Sequence, residues 1–182
     1  MKKGELKKQD IIEKTADYIL SNGLQAASLR NLAKAAETSD RMLLHYFNDK
    51  EELLTTILSA ISDRLIHMLK NTKTEKLSFQ DLVPFLYDTM QNPQVRPYMK
   101  LWIELIGTGS ENDPFYSTAK KIMDSFHQFY INVLQVEDHE NKEQMASLAL
   151  VTIEGIALLD AIGDQERIHQ AIEAIHSGRH SK

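Results

Sequence analysis

Residues 142 to 162, KEQMASLALVTIEGIALLDAI, carry apolar side chains on nearly every side of a helix. Such a helix must be covered all round, and no other feature of this 182-residue chain limits its fold so severely. Its length approaches that of a bilayer span. Glu154, Gly155 and Asp160 interrupt it and no basic cluster flanks it, so the expected surroundings are protein, with no membrane. Few other long helices exist to cover it. The stripe of Phe115, Ala119, Ile122, Met123, Phe126, Tyr130, Val133 and Leu134 on residues 114 to 134 can take one side, and a second copy of the chain another. The resulting expectation is a homodimer built as a four-helix bundle, with Phe129, Val133, Leu148, Thr152, Gly155, Ile156 and Leu159 at the interface. The alternative is a helix buried wholly inside one subunit.

Helical periodicity runs through most of the remaining sequence, with no alternating strand pattern and no internal repeat. Ile12, Ala16, Ile19 and Leu20 mark a helix over 7 to 22, stopped by Asn22-Gly23. Ser28 caps a short helix to about Ala36, and Ser39 or Asp40 another to about Tyr46. A long helix from about residue 50 carries Leu54, Ile57, Leu58, Ile61 and Leu65 down one side and ends near Asn71. Four more follow, over 78 to 91, 98 to 106, 114 to 134 and 142 to 162, then a last amphipathic one over 165 to 176. Pro84 lies inside the pattern of the first of these, so that helix begins near Asp81 or kinks. The chain is therefore expected to be all-α, with about nine helices.

The absence of cysteine excludes disulfides, cysteine-ligated zinc and thiolate chemistry, and fits a reducing compartment. The basic start, MKKGELKKQD, has no apolar segment behind it and does not read as a secretory signal, so a cytoplasmic location is expected. A net charge of −5 argues against a chain that coats nucleic acid. Residues 1 to 50 nevertheless hold nine Lys/Arg against seven Asp/Glu, so the basic excess is confined to the N-terminal part.

Within that part, SLRNLAKAAETSDRMLLHYF (28 to 47) reads as two short helices joined by a tight turn. Leu32, Ala33 and Ala36 face inward from the first, Leu43 and Tyr46 or Phe47 from the second, and Ala33 leaves room for a steep crossing. Asp40, Arg41, Met42 and His45 then point outward from the start of the second helix, the part of a helix-turn-helix that reaches base edges. Ser28 and Ser39 offer hydroxyls and helix N-termini to phosphates. The alternative is an ordinary helical hairpin.

IIEKTADYILSNGLQAASLRNLAKAAETSDRMLLHYFNDKEELL, within residues 7 to 58, resembles the DNA-binding domain of the TetR family of transcriptional regulators. SLRNLAKAA is similar to that family's second helix, and LLHYFNDKEELL to its aromatic recognition helix running into a charged turn and a linking helix. The resemblance implies an N-terminal three-helix DNA-binding domain with a helix-turn-helix over 1 to 50 and a linking helix over 50 to 70. A larger helical effector-binding and dimerisation domain would occupy 51 to 182. It also implies a ligand-responsive regulator, a repressor by expectation, that binds a palindromic double-stranded DNA operator as a homodimer and is released by a small-molecule effector. The expected DNA-facing residues are Ser28, Arg30, Ser39, Asp40, Arg41, Met42, His45, Tyr46 and Lys50. Arg41 can pair with guanine O6 and N7, Arg30 is a second base reader, and His45 and Lys50 serve phosphates. Glu37 departs from the Gly usual in the family's turn, Arg41 and Met42 from Gly and Thr, and Leu44 from Tyr. Asp40 adds a negative charge beside the reading face.

The middle of the chain is rich in aromatics and methionine. An apolar or aromatic effector would be held by His67, Phe85, Met90, Tyr98, Trp102, Glu104, Met123, Phe126 and Tyr130, with Glu104 or His67 orienting a polar or cationic group. Core packing is the alternative role for each of them. Glu166-x-x-His169 and Glu173-x-x-His176, with His180 beyond, have the spacing of metal ligands, but they share one terminal helix and read as a solvated face. No Ser-His-Asp order and no phosphate-cradling glycine loop is present, so no catalytic residue, metal or cofactor is expected and the chain reads as a non-enzyme. Two other readings remain: a TetR-like binding module that has lost DNA, which Glu37, Asp40 and Leu44 allow, and a helical metalloenzyme using the Glu/His helix.

Overall fold

A computed structural model describes residues 3–72, 75–108, 114–137 and 140–177. Among them are nine α-helices: α1 (Lys3–Asn22), α2 (Leu29–Ala35), α3 (Asp40–Tyr46), α4 (Lys50–Thr72), α5 (Phe79–Met90), α6 (Arg96–Thr108), α7 (Pro114–Val133), α8 (Lys142–Ala161) and α9 (Gln165–Ser177). A short 3₁₀ turn, Leu24–Ala26, connects α1 to α2. The helix pattern follows the sequence spacing closely, with three differences. First, α1 starts four residues earlier than the apolar repeat suggests. Second, α5 begins at Phe79 behind a Ser78 cap, whose side chain accepts the N–H of Asp81, and Pro84 lies inside the helix. Third, α6 begins at Arg96 because Pro97 falls in the first turn, where its missing N–H leaves no bond unmade.

The helices fall into two compact units. The first comprises Met1–Met68 with Lys100–Ile122, the second Leu69–Met99 with Met123–Lys182. In the first unit α1 packs on α2 and on the 3₁₀ turn, and α2 packs on α3. Ile11, Ala16, Ile19, Leu32, Ala36, Leu43, Leu53 and Ile57 are wholly buried there. Arg64 of α4 ties that helix to α1, donating to Glu13 and, at 2.8 Å, to Asp17.

In the second unit α5, α8 and α9 pack on one another. The sequence pointed to α7 as the cover for α8. The structure gives that place chiefly to α5, because Ala146, Ala149 and Ala157 on the buried side of α8 let a neighbour come close. α7 meets α8 through His127, whose Nε2 lies 3.0 Å from the Ser147 hydroxyl. An isolated parallel bridge, Leu77 to Leu134, closes the unit beside α5 and α7, with the Leu77 N–H donating to the Val133 carbonyl at 2.9 Å. One stripe of α8 stays uncovered. Leu148, Val151, Leu158 and Ile162 are 47, 70, 56 and 70% exposed, and Gly155 stands between them with open space before it.

Candidate nucleic-acid interface

The geometry of residues 28 to 50 is set by caps. Ser28 is itself extended and its hydroxyl accepts the N–H of Asn31, which starts α2. α2 ends at Ala36. The Thr38 N–H then bonds the Ala33 carbonyl at 2.9 Å and the Glu37 N–H the Lys34 carbonyl at 3.2 Å, the paired bonds of a Schellman stop. That stop needs a left-handed residue, and Glu37 adopts φ 52°. The same bonds close α8, from Asp164 to Leu159 and from Gly163 to Asp160, and there the left-handed residue is a glycine with φ 80°.

Glu37 is held in place by Lys14 of α1, whose ammonium donates to its carboxylate at 3.0 Å. That bond, more than the nearby Asp10, raises the pKa of Lys14. An exposed pair of this kind contributes little stability, whereas a non-glycine residue at positive φ costs about 1 kcal/mol. Glu37→Gly is therefore expected to raise the melting temperature by about 2–4 °C, read by thermal circular dichroism; an unchanged or lower value would show that the ion pair outweighs the strain.

Ser39 caps α3 by accepting the Met42 N–H at 3.3 Å. Leu43 and Phe47 are buried beneath the helix, which settles the choice between Tyr46 and Phe47 in favour of Phe47. Lys8 of α1 lies over the Phe47 ring, 4.6 Å from its centroid. The opposite face of α3 looks outward: Asp40, Arg41, Met42, Leu44 and His45 are exposed and Tyr46 is half-buried. α4 starts on a reciprocal cap, in which Asp49 accepts the Glu52 N–H and Glu52 accepts the Asn48 N–H, both at 2.7 Å. This presents Lys50 at the first helical position, exposed. Ser28, Arg30 and Ser39 are exposed as well. Arg30, Arg41 and Lys50 form no ion pair among the described residues, in contrast with Lys7, Lys8 and Lys14, which face carboxylates. The surface thus offers three exposed cations in the first turns of α2, α3 and α4.

The residues expected around an effector divide between the two units. His67, Trp102 and Glu104 belong to the first and the rest to the second. In the first, His67 is exposed and Trp102 half-buried, and Glu104 is engaged with backbone: it accepts the Leu24 N–H at 2.8 Å. In the second, Phe85, Tyr98, Met123 and Phe126 are half-buried, while Met90 and Tyr130 are buried at 5 and 3% exposure. Burial pushes the Tyr130 phenol far above its ordinary pKa, and the Glu154 carboxylate adds to the rise, so that hydroxyl stays protonated. A cleft of ≈ 410 Å³ lies elsewhere in the first unit, lined by Asp49, Glu51, Thr55, Thr56, Thr118 and Lys121 among others. The Thr55 and Thr56 hydroxyls there donate to carbonyls of their own helix.

Of the residues expected at a dimer interface, Phe129 and Ile156 are buried within the subunit, each at 3% exposure, and offer no surface to a second copy. The apolar periodicity that selected them marks both sides of a helix that is apolar all round, and burial in the subunit takes one of those sides. Leu148 and Gly155 are exposed, and Val133, Thr152 and Leu159 half-buried. The reading from sequence passed over Val151, Leu158 and Ile162, whose spacing with Leu148 and Gly155 follows a heptad seam. Among the described residues no group of three or more His, Asp or Glu could hold a metal. Glu166, His169, Glu173 and His176 are exposed on α9, and His180 lies outside the described residues.

The family described as "Bacterial regulatory proteins, tetR family" matches residues 11–57, from the first buried isoleucines of α1 to the buried Ile57 of α4. The chain is similar to the HTH-type transcriptional regulator PksA of Bacillus subtilis, with 32% identity over 80 residues, which is 44% of this chain and 37% of that one. It is similar over more of its length to the HTH-type transcriptional regulator BetI of Proteus mirabilis, 26% identical over 171 residues, 88% of this chain and 82% of BetI. The fold is that of a TetR-family regulator from Cytophaga hutchinsonii, with a TM-score of 0.75 at 15% identity over 98% of this chain and 96% of that one. It is also that of FadR from Bacillus subtilis, solved in complex with stearoyl-CoA, with a TM-score of 0.65 at 15% identity over 93 and 98%. Residues 11–57, with their outward-facing helix-turn-helix on these caps, thus match the tetR family of bacterial regulatory proteins, and the fold across both helical units is that of TetR-family regulators.

Proposed function

We propose that the chain acts as a homodimeric repressor that binds a palindromic operator and is released by a small apolar or aromatic effector. The observation that carries this reading is the outward face of α3, with Arg41 exposed, unpaired among the described residues and fixed by the Ser39 cap over a core of Leu43 and Phe47. Arg41 and Arg30 read base edges. Ser28, Ser39, His45, Tyr46 and Lys50 meet phosphates, with Asp40 and Met42 at the margin of the reading surface. The uncovered stripe of α8 supports the dimer, which would set two heads about 34–36 Å apart for successive major grooves. Half-buried Phe85, Tyr98, Met123 and Phe126 support an apolar effector, and FadR, of the same fold, was solved with stearoyl-CoA bound. A chain that reads DNA works where the DNA is, in the cytoplasm.

Release by an effector is a matter of linkage. The effector weakens DNA binding by the ratio of its affinities for the two conformations, and a difference of about 2 kcal/mol changes occupancy about thirtyfold. Selection of bound duplexes from a random pool tests the reading and supplies the operator. On the selected duplex, Arg41→Ala is expected to relax preference at one base-pair position, at a cost of about 1–3 kcal/mol. Lys50→Ala should weaken all sequences alike and reduce the salt slope by about one. No retained duplex at low salt would instead favour a head that has lost DNA, as the exposed Leu44 and Asp40 would then explain.

A further inference from the structure

Glu104 and Gly23 lie far apart in sequence and meet in the first unit. The Glu104 carboxylate accepts the Leu24 N–H at 2.8 Å. Both of its oxygens lie 3.0 Å from where a Cβ on residue 23 would stand. Glycine suits the φ of +82° at residue 23, and a Cβ there would press on the carboxylate. Its own N–H closes α1 on the Ile19 carbonyl at 2.8 Å. The path from Leu24 to α3 is short, hydrogen-bonded as far as α2 and continued by packing. Leu24 opens the 3₁₀ turn. The Ala26 carbonyl ends it and accepts from the Ser28 N–H and from the Asn31 side chain, each at 2.9 Å. Ser28 caps α2, and α2 packs on α3.

We propose that Glu104 is a positioning residue for DNA reading: by holding the Leu24 N–H it fixes the α1–α2 connection, and through α2 the attitude of α3, to helix α6. The bond is charge-assisted and sits at a point where the backbone has no helical partner for that N–H, which makes it strong for its size. α6 is anchored at its other end, where Arg96 donates to Asp160 at 2.6 Å. Trp102, the single tryptophan of the chain, lies on α6 two residues before Glu104 and reports on that helix by its fluorescence.

The test begins on the chain free of DNA and so does not depend on the operator. In ¹⁵N-labelled protein, Glu104→Ala should speed exchange of the Leu24 amide and shift amides along α2 into Arg41–Tyr46 of α3. Glu104→Gln, which keeps a carbonyl acceptor, should leave α3 unshifted. Shifts confined to residues 23 to 26 would overturn the proposal. DNA binding, which rests on the regulator reading above, is then measured on a duplex selected from the random pool. Glu104→Ala should bind about tenfold more weakly, and Glu104→Gln within about threefold of wild type, the scale of one charge-assisted hydrogen bond. Trp102 emission should change on adding duplex to wild type and to Glu104→Gln, and stay unchanged with Glu104→Ala. An Ala variant with wild-type affinity and an intact Trp102 response would also overturn it. A wild-type chain that retains no duplex would count against the DNA reading alone, since the amide shifts stand or fall without it.

Discussion

A chain carrying Val151→Glu and Leu158→Glu is expected to sediment as a single subunit where the unaltered chain sediments as a pair, and to lose about a hundredfold in affinity for a palindromic duplex. The two positions are one heptad apart on the uncovered stripe of α8, at 70 and 56% exposure. Leu148 and Ile162 extend the stripe at either end, and Gly155 at its centre leaves the backbone open to close approach. Each large side chain on that stripe contributes about 1.5–3 kcal/mol when another surface buries it. Glutamate at two of the four removes that gain and places four carboxylates in the seam of a symmetric pair, where none has a partner. The loss of DNA affinity follows from valency, because two linked heads bind a two-half-site duplex far more tightly than one. Helix content should be unchanged, since neither side chain contributes to the core.

α8 is also long and apolar enough to cross a membrane, yet a third of its apolar window is buried in the subunit, and Asp160 is bound by three side chains. Double-variant chains that stay paired in sedimentation would place the dimer contact elsewhere and remove the support that α8 gives to the operator reading.

The head was legible because its signals are local. Leu32, Ala33, Ala36 and Leu43 could be assigned inward from spacing alone, and all are buried. Ser28 and Ser39 could be assigned as caps because a hydroxyl before an apolar repeat has few other roles. The left-handed turn residue was readable as well, since the family places glycine where Glu37 stands, and φ is indeed positive. The uses of aromatic and acidic residues in the rest of the chain were not legible. Spacing marks Tyr130, Phe129 and Phe126 as one apolar stripe, and only packing separates the buried first two from the half-buried third. Glu104 could be read as a ligand group because nothing near it in sequence suggests a partner 80 residues away. Proline gave a divided signal. Pro84 allowed a start at Asp81 or a kink, and the helix begins at Phe79 because the Ser78 cap decides it.

Asp160→Ala is expected to lower the melting temperature by about 4–8 °C at neutral pH, equivalent to about 2 kcal/mol for a chain of this size. Asp160 looked from sequence like an interruption of an apolar helix. Its side chain is 5% exposed and sits where α5, α6, α8 and α9 converge. It accepts from Arg96 at 2.6 Å, from Gln165 at 2.9 Å and from Gln91 at 3.1 Å, while Gln165 in turn accepts from the Tyr87 hydroxyl at 2.6 Å. Alanine leaves two partly buried amides and a guanidinium without their acceptor, although half-exposed Arg96 recovers water.

The pH dependence separates this charge from simple packing. Burial alone would raise the Asp160 pKa, but the bonds from Gln165 and Gln91 and the charge of Arg96 together hold it below its ordinary 3.8. A carboxyl whose folded value is depressed adds stability that is full above the ordinary value and is lost as pH falls through the folded one. Melts of wild type and Asp160→Ala should therefore differ by the full amount at pH 7 and at pH 5, and converge only at more acid pH. Asp160→Asn, which keeps one acceptor, should fall between them at pH 7. A gap that persisted undiminished into strong acid would mean that alanine removes packing and that the three bonds to Asp160 contribute little.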